Sequence, residues 1–295
     1  MGEKTFYARK FELGIVFEGQ HHDGTNRVLS YNMFRAAFAE FLGMVIFLFN
    51  VITVARLVGR RESEDGASAS IILIAFEFGL SIFVLIYILA QASGAHLNPA
   101  VSLGLLVGKR ISVEKFVIYV IVQVLGAMAG ASIATTFLDS TGGGYNAIND
   151  GFISVNAFGG EVLCTFLLVM TVFASSDGEL GRKNASIGPL VPWAIGMAVV
   201  LAHLILVPID GCSINPARSF ATAFTNNEWG DHWVFWIGPL LGGVLATIVW
   251  ETILRPEQPV YSSSTVNRAV PIVPEDISVG PDNLQGECHE EKQRV

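Results

Sequence analysis

The chain contains Asn-Pro-Ala twice, at Asn98-Pro99-Ala100 and at Asn215-Pro216-Ala217. Each copy has the chemistry of a helix start. An Asn side-chain oxygen can accept from the first unpaired N–H groups of a helix. Pro suits the first helical position, where an N–H is not needed. The apolar run after each Asn lasts about ten residues, to Gly108 and to Phe224. At 1.5 Å per residue that is roughly 15 Å, half the ~30 Å hydrocarbon core of a bilayer. The two copies therefore read as half-helices, too short to span a membrane but matched to its midplane.

The rest of the chain supplies the membrane. Hydrophobic residues make up 52% and charged residues only 15% of the 295, and mean hydropathy is +0.52. A soluble domain needs a far more polar exterior, so a multi-span, all-α membrane protein is the class expected. The net charge of −8 is carried largely by the ends, at Glu3, Glu12, Glu18, Glu275, Asp276, Glu287, Glu290 and Glu291. No basic face suited to nucleic acid is present. Cys164, Cys212 and Cys288 are too few and too scattered for a disulfide framework or a zinc site. The polar N-terminus has no cleavable signal pattern, so the first apolar helix is expected to direct insertion itself.

Residues 1–30 read as an N-terminal tail, 31–255 as a channel domain and 256–295 as a disordered tail rich in Pro, Ser and charge. Spans are expected over residues 33–57, 71–91, 113–137, 158–174, 187–207 and 233–254. The half-helices fall after the second and fifth. Glu40 and Glu161 sit in the first span of each half, and Glu77 and Gln123 also fall inside spans. Six spans put both termini on one side. Lys4, Arg9, Lys10, Arg27, Lys109, Arg110, Lys115, Arg182, Lys183 and Arg255 place that side in the cytoplasm. Arg56, Arg60 and Arg61, assigned to the first outer loop, oppose this and are outvoted. The membrane itself is expected to be the plasma membrane or that of an intracellular vesicle.

The two halves repeat, over about 33–137 and 158–254. Glu40 matches Glu161, and Gly79 and Gly196 each lie 19 residues before their Asn. Gly126 and Gly130 match Gly238 and Gly242, or Gly243, with a slip of one or two residues. Three spans per half is odd, so the second half enters from the opposite face as an inverted 3+3 repeat. The half-helices then dip in from opposite sides and their N-termini meet at the centre. Backbone that is not helical at this depth is tolerated only when buried or lining a wet cavity. Its carbonyls offer a ladder of acceptors. Each helix N-terminus carries roughly half a positive charge, so two facing one another oppose cations, hydronium included. The amides of Asn98 and Asn215 can donate to one passing oxygen, and a water held this way breaks a proton wire. The implied permeant is small and neutral.

On the paired Asn-Pro-Ala boxes, the glutamates that open both halves and the glycine spacing, residues 33–254 resemble the aquaporins, the major intrinsic protein family. The resemblance implies a bundle of six tilted helices with two re-entrant half-helices, assembled as a homotetramer with one pore per subunit. It assigns Asn98, Pro99, Ala100, Asn215, Pro216 and Ala217 to the pore midplane. It assigns Phe78, His203, Cys212 and Arg218 to a second, narrower constriction. Glycerol-conducting relatives usually carry a small residue in place of His203 and Asp in place of Ser219, so water is the implied permeant. A thiol at Cys212 implies mercury-sensitive conduction. The alternatives are a facilitator of glycerol or similar solutes, and a closed structural member of the fold. Glu40, Glu161 and His96 are expected to hold the re-entrant loops in place. Ser112 and Ser186 follow basic pairs and are candidates for phosphorylation that moves a loop. No nucleophile–base pair or metal cluster stands out, so the sequence reads as a non-enzyme that needs no cofactor.

Overall fold

In the computed structural model, residues 31–59, 67–138, 143–177 and 190–255 are described. Among them, six helices are long and apolar enough to cross a bilayer. These are α1 (Tyr31–Gly59), α2 (Ala67–Ser93), α4 (Val113–Phe137), α5 (Ser154–Asp177), α6 (Leu190–Asp210) and α8 (Val234–Val249), the last continued by a π-helical turn, Trp250–Leu254. Two short helices, α3 (Pro99–Val107) and α7 (Pro216–Asn226), have 9 and 11 residues. No strand occurs among the described residues. The expected spans are thus found, and α5 starts four residues before the expected 158. The tails, residues 60–66, Arg182-Lys183 and Ser186 lie outside the described residues.

Both short helices start as their sequence dictates. Asn98 and Asn215 are extended, with φ −164° and −153°, and each is followed by Pro at the first helical position. Asn98 Oδ1 accepts from Ala100 N at 2.8 Å, and Asn215 Oδ1 from Ala217 N at 3.2 Å. Gly108 caps α3, and Asn227, in the left-handed region, caps α7.

The long helices pack in a pattern with internal symmetry. α1 lies on α4 as α5 lies on α8, while α2 and α6 pair with each other. The close approaches are made where a side chain is missing. A Cβ at Gly79 would stand 2.6 Å from the Gly196 carbonyl oxygen, and one at Gly196 would stand 2.6 Å from that of Gly79. The pseudo-twofold axis therefore runs through this crossing. Gly126 faces the Phe41 carbonyl and Gly242 the Val162 carbonyl, each at 2.4 Å from a built Cβ. Phe41 and Val162 follow the matched Glu40 and Glu161, so the partner of Gly126 is Gly242. The expected match with Gly238 is wrong by one helical turn; Gly238 packs instead on the Glu161 side chain. Small residues had aligned by spacing alone, but the contacts of α1 on α4 and of α5 on α8, within each half, fix the register.

Arg56 is also reassigned. It lies in the last turn of α1, is 3% exposed, and donates to Gly143 O, Thr135 Oγ1 and Asn226 Oδ1 at 3.2, 3.0 and 3.2 Å. It is a buried tie between elements and no longer counts as a loop cation. Outward-facing Leu, Ile, Val and Phe, such as Phe38, Ile72, Ile88, Ile121 and Leu163, cover the rest of the surface. That surface suits lipid, since a water-facing exterior of this kind would be unstable.

Gly126→Ala is expected to lower the thermal midpoint of the detergent-solubilised protein, because backbone cannot yield to the new methyl. The cost is about 1–3 kcal/mol, as for other overpacked cores. Gly159→Ala, where a Cβ meets nothing within 4 Å, is expected to leave the midpoint unchanged or raise it. Equal melting of both variants would contradict the packing described.

Candidate functional site: two opposed half-helices

The segment before each half-helix has the same unusual backbone. Gly94, Ala95 and Leu97 have φ of 94°, 49° and 51°; Gly211, Cys212 and Ile214 have 79°, 53° and 45°. Left-handed conformations cost a non-glycine residue of order 1–2 kcal/mol each, so something must hold them. Two glutamates, both fully buried, do so. Glu40 Oε1 accepts from His96 N at 2.9 Å and Oε2 from Leu97 N at 2.7 Å. Glu161 Oε1 and Oε2 accept from Ser213 N and Ile214 N, both at 2.6 Å. Each carboxylate thus takes up two successive N–H groups of one loop, leaving that loop's carbonyls for other partners.

The asparagines cross-link the two halves. Asn98 Nδ2 donates to Ile214 O at 2.7 Å, and Asn215 Nδ2 donates to Leu97 O at 2.8 Å. An amide NH₂ has two hydrogens. One of each pair is used between the loops, and one remains for the cavity that both asparagines line. The helix N-termini therefore stand head to head, with Ala100 and Ala217 fully buried behind them.

The cavity runs from Ser176, Val172 and Leu105 at one end, past Asn98 and Asn215, to Phe78 and His203 at the other. Its wall has an apolar side, including Phe47, Ile82, Val101 and Ile195, and a polar track formed by Gly94, Ala95, His96, Ser213 and Ile214. His203 and Phe78 nearly close the far end, with ring centroids 4.0 Å apart. His203 Nδ1 lies 2.8 Å from Val199 O. A carbonyl can only accept, so Nδ1 carries the proton, and in the neutral ring Nε2 is an acceptor. Nε2 is buried without a protein partner.

Arg218 is 3% exposed. Its guanidinium lies over the Phe78 ring, 5.5 Å from the centroid. It donates to Asn146 Oδ1 through Nη1 and to Gly211 O, at 3.2 Å, through Nη2. Phe78, His203 and Arg218 are therefore brought together. Cys212 is fully buried and its N–H donates to Asp210 Oδ1 at 2.8 Å. Neither Cys212 nor Arg218 is among the residues lining the cavity.

His96 lines the cavity, with Nδ1 3.0 Å from Ser102 Oγ and its ring against Tyr119. Ser112 is the N-cap of α4, accepting from Lys115 N at 3.2 Å. Glu77 accepts from Ser81 Oγ at 2.8 Å, one helical turn away. Several buried residues join the site without having been singled out. Gln123 Nε2 bridges Glu40 and Ser102, and Tyr119 Oη donates to Ser93 O at 2.6 Å. Gln123 was visible as an amide inside an apolar span. Asn146, in a Gly- and Asn-rich loop, carried no signal.

Glu161→Gln would turn an NH₂ toward one of two backbone donors. A buried N–H left unpaired costs about 1–3 kcal/mol. The variant is expected to melt at a lower temperature in detergent than wild type, and Glu40→Gln likewise. Unchanged melting for both would show that the glutamates do not hold these loops.

The match to known proteins covers this whole architecture. Residues 27–250 match the family described as Major intrinsic protein. The chain is 40% identical over 242 residues to a probable aquaporin PIP2-7 of Oryza sativa subsp. japonica, covering 79% of this chain and 83% of the relative. It is 40% identical over 234 residues to a probable aquaporin PIP-type pTOM75 of Solanum lycopersicum, covering 77% and 81%. Among solved structures it resembles the aquaglyceroporin from Plasmodium falciparum, with a TM-score of 0.66, 22% identity, and coverage of 75% of this chain and 96% of that one. At that identity the likeness concerns the fold alone. With two opposed half-helices inside six spanning helices, and with these relatives, the chain belongs to the major intrinsic protein family.

Proposed function

We propose that the protein is a water channel, passing water in single file down an osmotic gradient while turning back protons and ions. The observation that carries this reading is the reciprocal pair of bonds from Asn98 to Ile214 O and from Asn215 to Leu97 O, made by two asparagines that line one cavity. One amide hydrogen from each Asn is left to bind the oxygen of a passing water. That water then points both its own hydrogens away from the centre, so no proton wire crosses the midplane. The two helix N-termini add a positive potential at the same depth. The names of the relatives, probable aquaporins, support the same reading.

Phe78, His203 and Arg218 act as the selectivity constriction. Phe78 limits width, His203 Nε2 accepts from water, and Arg218 supplies a fixed charge and donors. Cys212 backs this constriction through its loop. Both termini lie in the cytoplasm: Lys109, Arg110, Lys115 and Arg255 share the side where α1 begins, and Arg56 is withdrawn from the opposite side. The apolar exterior suits both lipid and a homotetramer.

Stopped-flow shrinkage of proteoliposomes tests the reading. Wild type is expected to speed water efflux well above empty vesicles while glycerol passes slowly. Arg218→Val with His203→Ala is expected to raise glycerol flux while water flux persists. Wild-type glycerol flux comparable to water flux would favour a solute facilitator, and lipid-like water flux would favour a closed structural member of the fold.

A further inference from the structure

The two re-entrant stretches match residue for residue, 93–102 against 210–219, but they differ in charge. The first contains no Asp, Glu, Lys or Arg. The second contains two of opposite sign, Asp210 where the first has Ser93 and Arg218 where it has Val101. Ser93 and Asp210 close the same turn. Ala95 N donates to Ser93 Oγ at 2.9 Å, and Cys212 N donates to Asp210 Oδ1 at 2.8 Å. A neutral hydroxyl is enough for that turn, so the turn does not account for a carboxylate. Ser93 has a second task, donating to Glu40 Oε1 at 2.7 Å. An ionised Asp cannot donate, and Asp210 Oδ2 is buried with no hydrogen-bond partner among the described residues.

A buried charge is costly unless an opposite charge answers it. For Asp210 that charge is Arg218. Asp210 is fully buried and ends α6. The very next carbonyl, Gly211 O, accepts from Arg218 Nη2 at 3.2 Å, and the carboxylate and the guanidinium lie within Coulombic reach of one another. Arg218 Nε is likewise buried with no hydrogen-bond partner among the described residues. Glu161 is also within reach of Arg218. Both its oxygens, however, are taken by loop N–H groups, and its counterpart Glu40 does the same work where no arginine stands. Asp210 is therefore the negative charge that enters together with Arg218. Its effect on permeants follows from sign. Two helix N-termini and a guanidinium oppose cations, but the same positive potential draws anions.

We propose that Asp210 is a specificity-determining residue that excludes anions. Its carboxylate stands behind the constriction and offsets the Arg218 charge. That end of the pore is then polar without a net pull on small anions such as chloride. This rests on the channel reading above, and adds to it the half of ion exclusion that Arg218 and the helix ends do not supply.

Proteoliposomes holding wild type, Asp210→Asn, Arg218→Val or the double variant test this. Water is read by stopped-flow shrinkage, and chloride and sodium entry by entrapped dyes. Asp210→Asn keeps the side-chain volume and the acceptor for Cys212 N and removes the charge. It is expected to raise the ratio of chloride to water permeability about tenfold, the scale of one unit charge removed from a partly wet site. Arg218→Val leaves Asp210 unopposed and is expected to raise the sodium ratio instead. The double variant is expected to pass less chloride than Asp210→Asn and less sodium than Arg218→Val. A merely structural role for Asp210 would move chloride, sodium and glycerol together, without regard to sign. If Asp210→Asn fails to fold, judged by gel filtration in detergent, Asp210→Ser, which carries the residue of the matching place in the first half, is read in the same way. A folded, uncharged variant with the wild-type chloride ratio, or with chloride and sodium raised alike, would overturn the inference and leave the water channel standing. A wild type without water flux would overturn both.

Discussion

A peptide group that leaves a helix in mid-bilayer has no water to bond with, and each unsatisfied group costs several kcal/mol. That constraint organises this protein. Two loops must break regular structure at the midplane to expose acceptors, and every N–H they release must be met by protein. Glu40 and Glu161 meet two apiece, and Asn98 and Asn215 meet one carbonyl each across the centre. An ionisable side chain in an apolar helix is otherwise costly. Here the carboxylate is useful because it accepts on both oxygens in a fixed geometry, which neither Gln nor Ser can do.

The scaffold is symmetric but its decoration is not. Adding 117 to a residue number in the first half carries Asn98 to Asn215, Leu97 to Ile214 and Gly79 to Gly196. The same shift sets Val101 against Arg218, Ile86 against His203 and Phe78 against Ile195. The polar members of these pairs gather at one end of the cavity, near Phe78, and their apolar counterparts line the rest. Repetition supplies the opposed helix ends at the centre. Departure from repetition puts a histidine and an arginine against Phe78 on one side only. The neighbouring carboxylate of Asp210, buried with Oδ2 unpaired, belongs to the same asymmetric end.

Much of this was legible in the sequence because the relevant signals are local. Asn-Pro-Ala announces a helix start by capping chemistry alone, and the length of the apolar run says that the helix stops halfway. Glu40 and Glu161 were legible because a carboxylate in an apolar span must have buried donors. What was hidden depends on contacts between distant segments. The match of Gly126 to Gly242 needed the carbonyls of Phe41 and Val162. Arg56 read as a loop cation because its acceptors lie on three other segments, at Thr135, Gly143 and Asn226. Asn146 sits among glycines and other asparagines, and its sequence neighbourhood fits an ordinary turn as well as a clamp on Arg218.

The cross-bonds between the asparagines and the opposite loops have a consequence for assembly. Asn98 finds its acceptor 116 residues later in the chain, and Leu97 its donor 118 later. While the chain is being made, the first half inserts with those groups unmatched. Its short helix packs on α4, but its contacts with α5 and α8 form only when the second half arrives. The final shape must therefore lock in one concerted docking of the halves, and neither half alone is a smaller version of the whole.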